Sequence, residues 1–340
     1  MEESLVDFSR RFFEIAKRRF FIKKYQIEMH FTEPAKLPKY KGSTIRGTFG
    51  RALKFAACIK KEGLNYQEIL DLDCFQCHEI ERRDCIYFIT FEEKKMKGYF
   101  KNTTLPHLYI VEPPEDLKTN YKANNPFNFN LTLIGKTQNF ALKYYIDSLI
   151  KMGDLGLGED RSKFQLRTIR DSLNNKSLYT YQDGFNFYHT LESDLSGIEL
   201  LNIPIKKAFL RFITYTDISY HGREIKGPDL PFAALFSTIF TRLRDLSNIY
   251  NRWDFLKGFP YKEFIEKAKK IESHYPKLEN HSFDKTSLRT DKTYPIKGLM
   301  GEISYEGEIT PFLPFLIIGL YTHVGAKTDY GQGQYEFRIS

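Results

Sequence analysis

A strand, a helix, a glycine-rich loop and a second strand occur twice in this chain, and that repeat limits its fold more than any other feature. The second copy closes the sequence. Glu302 to Glu308 alternates apolar and polar residues, with Ile303 and Tyr305 on one face of a strand. Pro311 to Tyr321 is too apolar for an exposed helix and predicts one packed on a sheet. Pro311 and Pro314 fit its first turn, where a missing N–H costs little. Gly325, Gly331 and Gly333 then surround Lys327, ahead of a last strand from Gln334 to Ile339. Glycine opens backbone dihedrals that other residues avoid, so successive N–H groups in such a loop can converge on one anion. Lys327 adds a point charge suited to phosphate.

The first copy lies in the middle of the chain. Phe127 to Gly135 alternates as a strand, and Phe140 to Met152 places Leu142, Tyr145, Ile146 and Leu149 on one helical face. Gly153, Gly156 and Gly158 form a loop, and Arg161 to Arg167 reads as a basic strand carrying Arg161, Lys163 and Arg167. Gly135 stands as far before Gly153 as Gly307 does before Gly325. Matching order and spacing predict an internal duplication.

At 340 residues the chain has room for two domains of about 150 residues each. They are expected at 1–185 and 205–340, with 171–204 as hairpin and linker. In the first, Tyr25 to Phe31 is a strand, and Ser43 caps a helix burying Ile45, Phe49, Leu53 and Ala56. Arg46, Arg51 and Lys54 point elsewhere on that helix, while Tyr40 and Lys41 precede it. The amphipathic stretch Phe8 to Phe21 either lies on RNA or a membrane, or packs on the first sheet with its basic face in solvent. In the second domain, the strand Ala208 to Thr216 and a turn holding His221, Arg223 and Lys226 lead into a helix from Leu230 to Tyr250. The charged segment 261–293 yields no element. Each half then reads strand, helix, strands, helix, glycine loop, strand, which is the α+β, ferredoxin-like (RRM-like) βαββαβ order.

An insertion at about 62–92 holds Cys74, Cys77 and Cys85, which with Cys58 are the only cysteines. Four thiols suffice for one zinc, with His78 as an alternative ligand, or they stand free or form a disulfide, which a cytoplasm disfavours. Among the other histidines, His323 adjoins the terminal loop, His221 lies in a turn before a basic stretch and His30 sits in a strand. His107, His189, His274 and His281 have no supporting context.

Lys plus Arg number 51 against 43 Asp plus Glu, and the net charge of +8 favours a polyanionic partner. Thirty Phe and 22 Tyr exceed what base stacking would use, so most belong to cores. Neither glycine loop has the G-x-G-x-x-G spacing and no Walker lysine occurs, which disfavours a dinucleotide or nucleoside-triphosphate enzyme. Pro311 to Leu320, the longest apolar run, is short of the roughly 20 residues of a membrane span. The acidic start lacks a signal-like apolar run, so the expectation is a cytoplasmic protein with no membrane partner.

The run His323 to Tyr335 (HVGAKTDYGQGQY) resembles the C-terminal glycine-rich loop of the CRISPR-associated endoribonucleases of the RAMP superfamily that process precursor crRNA. Lys41 to Leu53 (KGSTIRGTFGRAL), the cysteine insertion through Tyr87 and Phe91-Glu92, and Leu210 to Leu235 fit the longer-N-terminus branch of that family. The resemblance implies two ferredoxin-like domains and CRISPR repeat RNA as substrate. It implies metal-independent cleavage by 2′-OH attack, leaving a 2′,3′-cyclic phosphate and needing no cofactor. The family's usual catalytic histidine follows the first-domain helix, yet Lys54 to Tyr66 contains none. His323, Lys41 and Arg46 are therefore the catalytic candidates. Gly325, Lys327, Gly331, Gly333, Arg161, Lys163, Arg167 and His221 are the RNA-binding ones, and Cys58, Cys74, Cys77 and Cys85 the zinc candidates. A non-catalytic RAMP subunit holding crRNA among other CRISPR effector proteins is the alternative, and a zinc-bearing RNA chaperone a third.

Overall fold

The computed structural model describes residues 3–58, 61–81, 85–92, 106–135, 141–186, 192–251, 256, 258–286 and 293–340. His189 lies outside them. The chain divides into two compact units, Lys23–Glu192 and Met1–Ile22 with Ser193–Ser340.

Helix α1 (Leu5–Arg19) starts on Ser4, whose hydroxyl accepts the Asp7 N–H. Its apolar face carries Phe8 and Phe12. Phe12 stacks on Phe315 at 4.9 Å and Phe8 meets Phe259 edge-on at 5.4 Å. This helix therefore packs inside the unit that closes the chain, whereas the sequence offered RNA, a membrane or the first sheet as its support.

The Lys23–Glu192 unit contains β1 (Ile22–Phe31), β2 (Ala35–Lys36), α2 (Gly42–Ala57), α3 (Tyr66–Asp71), α4 (Cys74–Glu81), a π-helical turn (Phe88–Glu92), β3 (Tyr109–Glu112), β4 (Asn120–Tyr121), β5 (Pro126–Ile134), α5 (Leu142–Leu155), β6 (Phe164–Asp171), β7 (Ser177–Thr180) and β8 (Gly184–Phe185). Its six-stranded sheet runs β3-β5-β1-β6-β7-β8. Side chains alternate along β1, so Tyr25, Ile27, Met29 and Phe31 share one buried face. Ile45, Phe49, Ala52 and Leu53 of α2 join Tyr145, Ile146, Leu149 and Met152 of α5 in the same core. Full burial of one such large side chain is worth about 1.5–3 kcal/mol. The sequence began the basic strand at Arg161; β6 begins at Phe164, and a bridge between Leu157 and Ser162 occupies the preceding turn.

The other unit continues with β9 (Lys207–Thr216), β10 (Ser219–Tyr220), β11 (Arg223–Glu224), α6 (Phe232–Asn251), α7 (Tyr261–Ala268), β12 (Glu272–Thr286), β13 (Thr293–Glu306), α8 (Leu313–Thr322) and β14 (Tyr335–Ile339). Its sheet order is β12-β13-β9-β14. Both units thus pair their second, third, first and fourth main strands in the same order, with antiparallel registers at β3/β5, β1/β6, β12/β13, β13/β9 and β9/β14. The architecture is mixed α+β. Much of the phenylalanine goes into this core: Phe236 meets Phe312 at 5.0 Å and Phe315 at 5.2 Å, both edge-on. The unplaced segment 261–293 supplies α7 and β12. No helix among the described residues is long and apolar enough to cross a membrane.

Candidate nucleic-acid interface

The terminal loop is built tightly. Helix α8 stops at Thr322, whose carbonyl accepts Arg242 Nε at 2.5 Å. His323 then takes φ 58°, ψ 173°, a region essentially reserved for glycine. Its ring is fully buried, and Nδ1 lies 3.0 Å from the Gln332 carbonyl. A carbonyl only accepts, so Nδ1 carries the proton. Val324 N–H donates to Gly333 O at 3.0 Å and closes the neck of the loop.

The glycines serve packing. A Cβ at Gly325 would run into the Asp217 carbonyl, and one at Gly333 into that of Val324. Gly331 N–H donates to Thr328 O at 2.8 Å and Gly333 N–H to Tyr215 O at 3.0 Å. Of the three glycines expected to hold phosphate, Gly331 and Gly333 thus have their N–H groups engaged within the unit. His323 is likewise a buried tie across the loop, with no face open to a substrate. The amide of Gln332 is also buried, with neither of its polar atoms paired among the described residues.

What the loop exposes is charge. Lys327, at φ 54°, points outward with Nζ 3.2 Å from the Pro295 carbonyl. The β10–β11 hairpin turns through His221 (φ 50°) and Gly222 (φ 75°), the two positive values that a tight hairpin turn needs. Both residues and Arg223 are exposed. Glu224 binds Lys297 Nζ at 2.7 Å, and Lys226 Nζ stands 3.9 Å away. The Lys297 hydrogen bond holds the Glu224 carboxyl below its ordinary range. Burial pushes the Asp217 carboxyl up, Glu224 adds to this, and Lys297 and Lys327 oppose it. Those couplings put the loop lysine, β13 and the hairpin in one neighbourhood. Lys297 was not legible in the sequence, since strand pairing rather than proximity along the chain brings it here.

In the Lys23–Glu192 unit, Arg161 and Lys163 are exposed, and the Lys163 ammonium donates to the Asp154 carbonyl. Arg167 is half-buried, donates to Gln165 Oε1 and lies over the Tyr181 ring at 5.4 Å. Lys41 departs from expectation. Its side chain is fully buried, and Nζ donates to Asp116 O (2.8 Å), Asp116 Oδ1 (3.2 Å) and Lys39 O (3.1 Å). All three ammonium protons have acceptors, so Lys41 ties chain segments together here. Burial lowers its pKa, against the pull of Asp116.

Arg46 is differently placed. On α2, half-buried, it lies over the Phe91 ring at 4.8 Å and gives Nε–H to the Tyr109 hydroxyl at 3.0 Å. One Nη stands 3.5 Å from His107 Nε2. His107 therefore acquires a context that its sequence neighbours do not show.

All four cysteines are free and partly buried. The couplings of Cys74 with Cys85 and Cys58, and of Cys85 with Cys77, place them near one another. Yet among the described residues no three His, Cys, Asp or Glu side chains come together as a metal-ligand set. Burial pushes the Cys74 thiol up to about 11 and raises that of Cys85.

Two family models match the chain: one described as CRISPR-associated endoribonuclease Cas6 over residues 210–335, and the AF_1859_N N-terminal domain over residues 20–191. No curated protein matches. Among solved structures, a partial Cas6-RT-Cas1–Cas2 complex aligns with TM-score 0.57 and 12% identity, over 95% of this chain and 46% of that chain. A Cas6 product complex aligns at 0.52 and 15%, over 93% and 100%. Thermus thermophilus Cas6 aligns at 0.50 and 14%, over 94% and 99%. The chain thus spans about half the length of the first of these and nearly all of the other two. At such identities the likeness is one of fold.

Proposed function

We propose that this chain, whose residues 210–335 match the Cas6 family model, is an endoribonuclease of that family that cuts CRISPR repeat RNA within precursor crRNA. Two ferredoxin-like units carry the activity. The proposed chemistry is metal-independent transesterification. The 2′-oxygen bonds to phosphorus, its proton passes to a base, the P–O5′ bond breaks, and an acid protonates the departing 5′-oxygen. A 2′,3′-cyclic phosphate and a 5′-OH remain. Positive charge must meet the phosphorane as it forms.

The observation that carries this reading is the gathering of exposed Lys327, Lys226, Arg223 and His221 with half-buried Lys297 around the glycine-rich loop, inside the stretch matched by the Cas6 model. Lysine and arginine so grouped suit an RNA backbone. A second reading, an RNA-holding subunit working beside other CRISPR effector proteins, draws on the burial of His323 and the full engagement of Lys41.

Incubation with labelled repeat RNA in EDTA, beside the same RNA with a 2′-deoxy at the cut site, separates the two. The expected result is cleavage that survives the chelator and stops at the 2′-deoxy. Tight binding of intact RNA with no cleavage would replace the first reading by the second.

A further inference from the structure

On the endoribonuclease reading above, His107 gains a role from the groups that surround it. His107 Nδ1 lies 3.1 Å from the Thr90 carbonyl. That oxygen only accepts, so Nδ1 carries the proton and the neutral ring turns its Nε2 lone pair toward Arg46 at 3.5 Å. Thr90 is itself fixed. Its hydroxyl donates to Ile86 O at 2.6 Å and so receives the proton of Tyr145 OH at 2.9 Å. Thr90 and Phe91 belong to the π-helical turn Phe88–Glu92, a backbone form that concentrates at functional sites. Phe91 lies under the guanidinium and the Tyr109 hydroxyl accepts its Nε–H. One half-buried arginine is thus oriented by a ring face, a hydroxyl and a histidine lone pair.

We propose that His107 is a positioning residue: its Nε2 lone pair, with the Tyr109 hydroxyl, aims the Arg46 guanidinium at a phosphate of the bound RNA. A planar fork held in one orientation suits a phosphorane better than a mobile one, because no reorganisation is left for the moment of reaction. His107 is itself nearly buried, so it acts through Arg46.

Two substitutions separate this role from a structural one. His107→Gln can place a carbonyl oxygen near the Nε2 position and keep an acceptor for Arg46. His107→Asn can place an amide N–H near the Nδ1 position and keep only the Thr90 bond. With folding checked by thermal melting, single-turnover cleavage of repeat RNA should fall on the order of tenfold or more in H107N. It should stay within about threefold of the wild type in H107Q. R46A should fall at least as far as H107N, and H107N should add little on the R46A background. Retention in H107N with loss in H107Q would make the histidine an anchor for Thr90 and overturn the proposal, as would wild-type rates in both. If the wild type leaves repeat RNA intact, the endoribonuclease reading falls and RNA affinity becomes the readout. Weakening shared by R46A and H107N but not H107Q upholds the positioning role, and any other pattern rejects it.

Discussion

His323 shows how a residue can match a motif and still be engaged elsewhere. The sequence places it beside the glycine loop, where a general acid or base would be useful. The fold gives it a backbone conformation suited to glycine and seals its ring against the Gln332 carbonyl. Such a conformation costs about 1–3 kcal/mol for a residue with a Cβ. His323→Ala therefore keeps the strain and loses the bond and the ring packing, whereas His323→Gly loses the same contacts but relieves the strain. Denaturant unfolding should rank wild type above H323G and H323G above H323A, with the two variants separated by about 1 kcal/mol or more. Cleavage lost in both variants while stability is unchanged would instead return His323 to the chemistry. His107 is the reverse case. Its neighbours in sequence say nothing, because Thr90 and Arg46 reach it only through folding.

At the level of elements, the duplication was legible but its register was not. The sequence equated Gly153 with Gly325 on spacing. Gly153 lies inside α5, where a Cβ would strike the Phe164 carbonyl. The helices end instead at Gly156 (φ 76°, ψ 164°) and His323 (φ 58°, ψ 173°). Two residues on, Gly158 and Gly325 both have positive φ and press on carbonyls, those of Lys36 in β2 and of Asp217 just beyond β9. Leu157 then pairs with Ser162 and Val324 with Gly333. The terminal loop is thus a longer version of the Gly158–Arg161 turn, and the extra length carries Lys327. Cap geometry of this kind is invisible to spacing alone. Long apolar patterns such as β1, α6 and α8 were readable because periodicity encodes burial. The β12 strand was not, since its charged residues face solvent and mask the alternation. The cysteine-bearing helix α4 leads to a pH prediction. With its thiol near 11 in the fold and about 9 when unfolded, Cys74 stabilises the native state below pH 9, and that contribution is lost as pH rises toward 11. Wild type should lose stability relative to C74S over that interval, and Cys74 should alkylate slowly at pH 8. Fast alkylation there would show an ionised thiol, and protection lifted by a chelator would show a bound metal.

For the molecule as a whole, the net charge of +8 says little until it is located. In the unit of β9 to β14, many basic side chains are already paired, as in Arg211 with Glu336 at 2.7 Å and Lys207 with Glu306 at 3.0 Å. Around the terminal loop the balance differs: Lys226 and Lys297 share one carboxylate, Glu224, and Lys327 rests on a carbonyl. These pairs are at least partly open to solvent, and such pairs contribute little to stability, so a polyanion can displace Glu224 without disturbing the fold. Replacing Lys226, Lys297 and Lys327 together by alanine should leave the melting temperature within a few degrees. It should also flatten the dependence of log affinity on log salt by about 2, at roughly 0.7 per single-strand phosphate contact. Glu224→Gln acts in the opposite sense. It frees two lysines from a competing anion, so repeat RNA should bind more tightly and with a steeper salt slope. Titrations at several salt concentrations measure both. Slopes unchanged in the triple variant would place the RNA backbone on another surface, and weaker binding by E224Q would mean that the carboxylate orients its lysines for RNA instead of competing with it.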